Sequence, residues 1–277
     1  MFDGGSGAID ELADFVLAHP RLLVLTGAGI STASGIPDYR DEQGRWKQAS
    51  PIQYRDFVHS PLARQRYWAR SAIGWPRFRT ALPGPAHHAL AALQHQGHVS
   101  DLVTQNVDGL HQRAGSEGVI DLHGRLDRIV CLDCGERSLR QSLQTWLLEH
   151  NPQLAAAEAS PAPDGDALLE DIDFTAIKTP VCPQCAGLLK PDVVFFGENV
   201  PAARVARSFE AVEKADAMLV VGSSLMVYSG FRFARRAHER SIPIIAINRG
   251  VTRADELLSR KLEMDCGQVL STLADRL

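Results

Sequence analysis

The chain alternates short apolar runs with longer amphipathic stretches. The run Leu-Leu-Val-Leu at residues 22–25 has no polar position, which predicts a strand buried on both faces. Similar runs predict further strands at 101–106, 119–122, 193–196, 217–221 and 242–248. The stretches of helical character predict helices at 8–19, 61–73, 85–96, 202–214, 230–240 and 266–276. Strands that alternate with helices indicate a Rossmann-like α/β fold, with a parallel sheet and helices on both faces.

Residues 124–192 interrupt this alternation. They contain two C-x-x-C pairs, a predicted helix at 138–150 and a stretch rich in proline, alanine and aspartate at 151–166. Near the start of the chain, the polar segment 38–50 contains a glycine and is predicted to be a mobile loop. We therefore expect three parts: a Rossmann-like domain made of 1–40, 101–123 and 193–277, a loop and helical module at 41–100, and a smaller inserted zinc-binding module at 124–192.

Small or polar residues lie at the carboxyl ends of four of the predicted strands. They are Gly27, Asn106, Gly222 and Asn248. Ligands of open parallel sheets bind beyond the carboxyl ends of the strands, so these positions are expected to face one ligand site. Two of these turns continue with Ser223-Ser224 and Arg249-Gly250. These residues could donate hydrogen bonds to a ligand, or they could form ordinary turns.

A glycine-rich turn follows the first strand. It contains, in order, Gly27, Ala28, Gly29, Ser31, Thr32 and Ser34, and its hydroxyl residues are candidate caps for a helix start. Bare backbone N–H groups and a helix dipole favour phosphate there, although a tight turn alone would also need glycine. The third glycine is Gly35, which is displaced from the G-x-G-x-x-G spacing. This displacement argues against a dehydrogenase that transfers hydride.

Four of the five cysteines fall in two pairs, Cys131/Cys134 and Cys182/Cys185, and Cys266 stands alone. Four thiolates form a closed tetrahedral set with no open position, so the sequence predicts a structural zinc site. The alternatives are buried reduced cysteines and a catalytic redox pair. A redox pair usually opens a helix in a thioredoxin-like unit, which makes it the weaker alternative.

Two further candidates lie at predicted strand ends. Gln105, Asn106 and Asp108 could hold a ribose, an amide or a water, or they could form a turn or helix cap. His123 ends the strand predicted at 119–122. A neutral imidazole is the natural general base near pH 7, whereas a lone histidine is also often structural.

Composition narrows the class of protein. The 277 residues are 45% hydrophobic and 22% charged, as in a globular domain, and the net charge is -4. This balance gives no electrostatic case for binding nucleic acid or a membrane surface. The N-terminal segment lacks the basic and apolar regions of a secretory signal, so we expect a cytoplasmic protein.

Taken together and in order, the motifs resemble those of the sirtuin family of NAD-dependent protein-lysine deacylases. They are GAGIS from Gly27, GIPDYR ending at Arg40, TQNVD from Thr104, LHG around His123, both cysteine pairs, KPDVVFFGE from Lys190, GSS from Gly222 and IN ending at Asn248. The segments PDYR, RYWAR, CLDCGE, APDGD and VYSG are most similar to the sirtuin-4 branch, which is usually called class II.

The resemblance implies roles for the candidate residues. NAD would contact Gly27, Ala28, Gly29, Ile36, Pro37, Asp38, Arg40, Gln105, Asn106, Asp108, Gly222, Ser223, Ser224, Asn248 and Cys266. Catalysis would use His123 as the base, together with Asn106 and Asp108. The substrate peptide would lie as an added strand beside Val194, Phe195, Phe196, Gly197, Glu198 and Leu225. The four paired cysteines would hold structural zinc.

The implied reaction moves the acyl group from a lysine to ADP-ribose and releases nicotinamide. The partners would be acylated lysine side chains of proteins, and the oligomeric state is unknown from the sequence. An alternative is a protein ADP-ribosyltransferase that uses the same NAD pocket. A nucleic-acid-binding zinc ribbon is a further alternative, which the acidic charge balance argues against.

Tyr67 and Arg70 bear on the choice of acyl group. They lie three residues apart in a predicted helix and so share a face. In desuccinylase-type members of the family, such a Y-x-x-R pair binds an acidic acyl carboxylate. The resemblance therefore implies glutaryl or methylglutaryl chains, with lipoyl or biotinyl chains as other possibilities for this branch. The alternative is that Arg70 pairs with a local carboxylate and Tyr67 packs in the interior.

Overall fold

The computed structural model describes residues 6–47, 51–156, 160–161, 167–168 and 172–277. The end of the predicted mobile loop, at 48–50, and the APDGD segment, at 162–166, lie outside the described residues. The helices are α1 (Ser6–Ala18), α2 (Tyr54–His59), α3 (Pro61–Thr80), α4 (Pro85–His95), α5 (Leu110–Arg113), α6 (Arg140–His150), α7 (Ala202–Lys214), α8 (Tyr228–Glu239) and α9 (Cys266–Arg276). The strands are β1 (Leu22–Thr26), β2 (Asp101–Thr104), β3 (Ile120–Asp121), β4 (Gly124–Cys131), β5 (Arg137–Leu139), β6 (Ser160–Pro161), β7 (Ala167–Leu168), β8 (Leu189–Val193), β9 (Ala217–Val221), β10 (Ile244–Ile247) and β11 (Arg260–Leu262).

The main sheet has six strands in the order β11–β10–β9–β1–β2–β3. Every pairing in it is parallel, which confirms the predicted parallel sheet. β1 lies at its centre, with Leu23 opposite Met218 of β9 on one side and Asp101 of β2 on the other. All five residues of β1 are buried, as its unbroken apolar run predicts for a strand covered on both faces.

Alternate residues of the central strand face two separate cores. Leu22 and Val24 pack with residues of α1, α4 and α9 on one face of the sheet. Leu23 and Leu25 pack with residues of α7 and α8 on the other face. Because side chains alternate along a strand, one apolar run supplies both layers, and the prediction of helices on both faces is confirmed.

The strand order brings the predicted ligand positions together. β10, β9, β1 and β2 are neighbours and parallel, so their carboxyl ends lie along one edge of the sheet. Gly27, Asn106, Gly222 and Asn248 follow these four strands. Since parallel strands share one direction, residues distant in sequence meet at this edge.

A second lobe is built on the antiparallel sheet β5–β4–β8. Its own core joins Phe57 of α2, Trp68 of α3 and Leu147 of α6 to Ile129 of β4 and Leu189 of β8. This lobe contains the four paired cysteines and corresponds to the predicted smaller module with its helical insertion. The strands β4 and β5 were not predicted.

The prediction of a strand at 193–196 is wrong. The strand is Leu189–Val193, and it pairs antiparallel with β4 rather than joining the main sheet. After Val193 the backbone leaves the ladder: the Val194 N–H donates to the His123 carbonyl at 2.8 Å, and the Phe196 carbonyl accepts from the Tyr54 N–H at 2.8 Å. After Val193 the apolar run is thus an irregular segment whose backbone groups bond to His123 and to Tyr54 at the start of α2.

Helix α3 continues past the predicted end at 73, to Thr80, although it contains Pro76. A proline inside a helix leaves the carbonyl four residues earlier without its usual donor. Here that carbonyl belongs to Ala72, and the Gln144 side chain donates to it at 2.7 Å. A residue of α6 therefore supplies the missing hydrogen bond, and the helix extends by almost two turns.

Helix α4 lies within the 41–100 segment but packs on the main sheet. Ala86, Leu90 and Leu93 of α4 share the core formed by β1 and α9. α2 and α3 belong instead to the core of the second lobe. Among the described residues, no helix is long and apolar enough to cross a membrane.

Candidate active site

A cavity of about 710 Å³ opens at the carboxyl edge of the main sheet. Ligand pockets typically measure about 300 to 1,000 Å³, so this cavity is of the usual size. Of the residues predicted for catalysis, cofactor and substrate, all but Pro37 and Arg70 lie on its wall. The wall residues include Gly27, Ala28, Gly29, Ile36, Asp38, Arg40, Tyr67, Gln105, Asn106, Asp108, His123, Val194, Phe195, Phe196, Gly197, Glu198, Gly222, Ser223, Ser224, Leu225, Asn248 and Cys266.

Two turns cross at the floor of the cavity, and their crossing explains the glycines. The Gly29 N–H donates to the Gly222 carbonyl at 2.8 Å. A Cβ on Gly29 would lie 2.9 Å from that oxygen, and Gly222 has a φ of 58°, in the left-handed region. Backbone meets backbone here, so a side chain at either position would push the turns apart.

The turn after β1 does not start a capped α-helix. Residues Ala28–Ser34 form a 3₁₀ helix whose N-cap is Gly27, with no side-chain cap, and Gly35 ends it in the left-handed conformation. The prediction that Ser31, Thr32 and Ser34 cap a helix start is therefore wrong, because they lie inside this segment. Tertiary contacts, rather than capping, determine where the Ser31 hydroxyl points.

Ser31 holds the amide and the carboxylate of the TQNVD segment. Its hydroxyl donates to Asp108 Oδ2 at 2.7 Å and accepts from Asn106 Nδ2 at 3.0 Å. His87 Nε2 lies 3.4 Å away on the buried side. Burial lowers the pKa of His87 to about 4, so this imidazole is neutral. Asp108 also accepts from the Leu110 N–H at 2.9 Å, so it stabilises the start of α5 while lining the cavity.

His123 presents one imidazole nitrogen to each of two partners. Nδ1 lies 2.9 Å from the Gln105 carbonyl oxygen, and Nε2 lies 2.8 Å from Ser229 Oγ. Burial lowers the pKa of His123 to about 4, and the positive charges of Arg232 and Arg204 act in the same direction. A group whose pKa is this low is unprotonated at neutral pH, so the side chain is in the form that can accept a proton.

Polar side chains beyond β9 and β10 form the other end of the cavity. Gln105 Nε2 donates to Ser223 Oγ at 2.8 Å, which ties β2 to the turn after β9. Asn248 Nδ2 donates to the Arg249 carbonyl at 2.8 Å. Cys266 lies 3.7 Å from the Gly29 carbonyl, and burial raises the pKa of its thiol to about 11. Since the thiolate is the reactive form, Cys266 is a poor nucleophile here.

The described part of the 38–50 loop is a compact turn beside the cavity. Arg40 forms an antiparallel bridge with Trp46, stacks on its ring at 4.0 Å and donates to the Gly44 carbonyl at 2.6 Å. Asp38 forms an ion pair with Lys47. The mobility of the loop stays a prediction.

The segment 193–198 on the cavity wall is held in place by a partly buried ion pair. Lys190, which is only 3% exposed, lies 3.1 Å from Glu198 Oε2 and also donates to the Val193 carbonyl. The same carboxylate oxygen accepts from the Phe195 N–H at 2.8 Å. One carboxylate thus joins strand β8 to the turn that faces the cavity, and a buried charge without its partner would be costly.

Of the two residues predicted to select the acyl group, Tyr67 lies on the cavity wall and Arg70 does not. The Tyr67 ring is buried, lies 5.2 Å from the Phe195 ring and lines the cavity. Arg70 is half-buried on the same helix and is not on the cavity wall. Whether this pair contacts an acyl group stays a prediction.

The four paired cysteines converge in the second lobe. Their sulfur atoms all lie within 4.8 Å of one another, with Cys131 Sγ 3.6 Å from Cys185 Sγ and Cys134 Sγ 3.7 Å from Cys182 Sγ. A disulfide would need about 2.05 Å. In a tetrahedral site with zinc–sulfur bonds of about 2.3 Å, the sulfur atoms lie about 3.8 Å apart. The spacing therefore fits one tetrahedral zinc ion.

The two C-x-x-C segments adopt matching turns. The Gly135 N–H donates to the Cys131 carbonyl at 3.1 Å, and the Ala186 N–H donates to the Cys182 carbonyl at 2.8 Å. Both donors have positive φ angles, 76° and 59°. Each turn therefore directs its two sulfur atoms to the same point, which supports metal binding over a set of buried reduced thiols.

The sheet, the cavity at its carboxyl edge and the four-cysteine cluster of the second lobe define a Rossmann-like α/β protein with a module that fits zinc. The profile of the Sir2 family matches residues 27–229. The chain belongs to this family, the sirtuins that its motifs resemble.

Similar proteins agree with this assignment. A protein of Xanthomonas axonopodis pv. citri named NAD-dependent protein deacetylase is 58% identical over 262 residues, which cover 95% of this chain and 89% of that protein. NAD-dependent protein deacetylase 2 of Bradyrhizobium diazoefficiens is 56% identical over 266 residues, covering 96% of this chain and 97% of that protein. A structure described as Sir2 with a p53 peptide and NAD+ is 28% identical, with a TM-score of 0.72, and covers 97% of this chain and 98% of its own. Another, of Sir2 bound to acetylated peptide, has 27% identity, a TM-score of 0.76 and the same coverage.

Sequence reasoning missed several residues at the cavity. Ser229 contacts His123, and Trp46 contacts Arg40, but neither was singled out. Ser31 was singled out only as a helix cap. In the sequence, Ser229 is marked only by its place in the VYSG segment after β9. That place does not reveal its contact with a histidine more than a hundred residues earlier.

Proposed function

We propose that this protein is an NAD-dependent protein-lysine deacylase that moves an acyl group from lysine to ADP-ribose. The observation that carries the proposal is the placement of His123. Its neutral imidazole lies on the cavity wall where the TQNVD segment, the 193–198 segment and the start of α8 meet. A base at this junction can act on a cofactor held by the first segment and a peptide held by the second.

Several observations support NAD as the co-substrate. The residues that line the cavity include the glycine turn as well as Ser223, Asn248 and Cys266, so one bound molecule could contact all of them. Relatives with more than half of their residues identical are named NAD-dependent protein deacetylases. The Gly27 N–H is bonded to the Val221 carbonyl, so the Ala28 N–H would face the phosphates, and Asn106 and Asp108 would face the nicotinamide and ribose.

Each catalytic side chain has one task in the proposed reaction. Asn106 and Asp108, held by Ser31, orient the nicotinamide end so that the acyl oxygen of the substrate attacks the ribose carbon as nicotinamide leaves. His123 Nε2 then accepts the proton of a ribose hydroxyl, and that oxygen attacks the acyl carbon. The bond from this carbon to the lysine nitrogen breaks, and a water molecule completes the conversion to O-acyl-ADP-ribose and free lysine. The reaction needs no protein nucleophile, in keeping with the raised pKa of the Cys266 thiol. We assign the zinc a structural role, because four cysteines complete its coordination.

Product analysis tests this proposal against protein ADP-ribosylation. The purified protein would be incubated with NAD and an acetyl-lysine peptide, and the products would be weighed by mass spectrometry. We expect deacetylated peptide, free nicotinamide and O-acetyl-ADP-ribose in equal amounts. Peptide that keeps its acetyl group and gains ADP-ribose would instead establish the transferase alternative.

We further propose that this enzyme is of the class II, sirtuin-4-like type and accepts acyl chains beyond acetyl. The RYWAR and VYSG segments support the branch, and Tyr67 supports the wider acyl range because it lines the cavity beside Phe195. Arg70 follows three residues later on α3, on the same helical face. A guanidinium and a phenol together suit a carboxylate at the end of a glutaryl or methylglutaryl chain.

The substitution Arg70→Ala is expected to lower kcat/KM on a glutaryl-lysine peptide by about tenfold or more, and to change it less than about twofold on the acetyl peptide. A charge-assisted hydrogen bond to the acyl carboxylate would be lost only with glutaryl. Arg66→Ala is the matched control, because Arg66 is an exposed arginine in the same helix. An equal loss on both peptides would show that Arg70 supports the fold rather than selecting the acyl group.

A further inference from the structure

We infer that Ser229 is a positioning residue for His123, with a hydroxyl that holds the imidazole in the orientation its role as base requires. The inference rests on the proposed function, in which His123 Nε2 receives the proton. Ser229 lies in the first turn of α8 and, like His123, lines the cavity. The two side chains come from positions 106 residues apart, and only the fold joins them.

The hydrogen-bond partners determine where the imidazole proton is. The Gln105 carbonyl can only accept, so Nδ1, at 2.9 Å from it, carries the hydrogen. A neutral imidazole has one N–H, which leaves Nε2 with a lone pair. Ser229 Oγ, at 2.8 Å, is therefore the donor to Nε2. The ring is held on both sides, and its basic nitrogen points toward the start of α8.

Ser229 is itself fixed in place. Its carbonyl accepts from Arg232 Nε at 3.1 Å, and the Gly230 N–H donates to the Val227 carbonyl at 3.2 Å as the helix begins. With the Gln105 carbonyl alone, the imidazole could rotate about its bond to Cβ while keeping one hydrogen bond. The second contact prevents this rotation because it fixes the opposite edge of the ring.

A hydroxyl serves both protonation states of the base. It donates to Nε2 while the cavity is empty. Its O–H turns away when the ribose hydroxyl takes its place at the single Nε2 lone pair, and the Ser229 oxygen then accepts a share of the Nε2–H once the imidazole has taken the proton. The charged groups that act on His123 are Arg232 of α8 and Arg204 of α7, and both oppose protonation. The Gln105 carbonyl at Nδ1 and a neutral acceptor beside Nε2 are therefore the contacts that favour the protonated ring at this site.

Wild type, Ser229→Ala and Ser229→Thr would be compared in two measurements. In the first, nitrogen-15 NMR of the protein without NAD reports the Nε2 resonance of His123. We expect the position of a nitrogen that accepts a hydrogen bond in wild type and Ser229→Thr, and the unbonded position in Ser229→Ala. Thermal unfolding of each variant would verify that it is folded.

The second measurement is kinetic. Loss of one ordinary hydrogen bond should lower kcat for deacylation by roughly tenfold in Ser229→Ala. The KM for NAD and the rate of nicotinamide exchange should stay within about twofold, because both precede the proton transfer to His123. Ser229→Thr, which keeps the hydroxyl, should restore kcat.

Two results would overturn the inference. One is an Nε2 resonance that does not change in folded Ser229→Ala. The other is a loss of nicotinamide exchange equal to the loss of deacylation, which would indicate a general effect on the cavity. If wild type itself shows no NAD-dependent deacylation, the proposed function fails, while the NMR comparison still decides whether Ser229 positions His123.

Discussion

Replacing His123 with alanine is expected to lower NAD-dependent deacylation by about 100- to 10,000-fold, the range found for general acid–base groups. Nε2 is the one imidazole nitrogen with a lone pair free of the backbone, and it lies on the cavity wall. Alanine leaves the ribose hydroxyl without a proton acceptor. Nicotinamide exchange, which precedes this proton transfer, should persist in the variant.

Rates of peptide deacylation and of labelled nicotinamide exchange would be measured side by side for wild type and His123→Ala. The control is His238→Ala, because His238 is an exposed histidine in the last turn of α8. It should match wild type in both rates. A His123→Ala variant that is folded and deacylates at the wild-type rate would refute the role of His123 as the base.

Removal of the metal is expected to have the second large effect, on both folding and activity. Four thiolates must be held within 4.8 Å of one another, and without an ion they repel or become protonated. In isolated zinc-finger peptides, binding of structural zinc contributes about 10 to 16 kcal/mol to folding, and this range is an upper limit for the stabilisation of the second lobe. We therefore expect the second lobe to unfold when a chelator strips the ion.

We expect the loss of activity because two strands of the second lobe, β4 and β8, adjoin residues of the cavity wall. β4 starts at Gly124, directly after His123, and β8 ends at Val193, directly before the wall segment. Gly124 and Val193 are paired in the ladder. A zinc ion held by the four cysteines would thus stabilise the pair of strands whose ends position His123 and the 193–198 segment, although the cluster lies in the other lobe.

Zinc content, thermal unfolding and deacylation would be measured before and after treatment with a chelator. The variant Cys131→Ser should lose zinc and unfold at lower temperature. Cys266→Ser is the control for metal content, because Cys266 is not part of the cluster and the variant should retain one zinc per chain. Metal-free protein with an unchanged unfolding temperature and rate would contradict a structural role.

Much of the architecture follows from the sequence alone. β9, α7 and α9 begin and end at the predicted residues, because apolar periodicity and local turn residues determine such elements. Asn106, Gly222 and Asn248 were expected at one edge because parallel strands that alternate with helices must share one direction. The cysteine pairs indicated a metal from spacing alone, since paired thiolates at this spacing can reach one ion.

Other features were decided by the tertiary structure. The apolar run at 193–196 is not a strand, since its N–H and carbonyl groups bond to His123 and Tyr54. The continuation of α3 past Pro76 depends on Gln144, and the contact between His123 and Ser229 depends on how α8 meets the end of β3. Local sequence determines which elements form and in which order. The partners of the Ala72 carbonyl and of His123 Nε2 are determined by packing between segments far apart in the chain, since most buried polar groups of a folded protein are hydrogen-bonded.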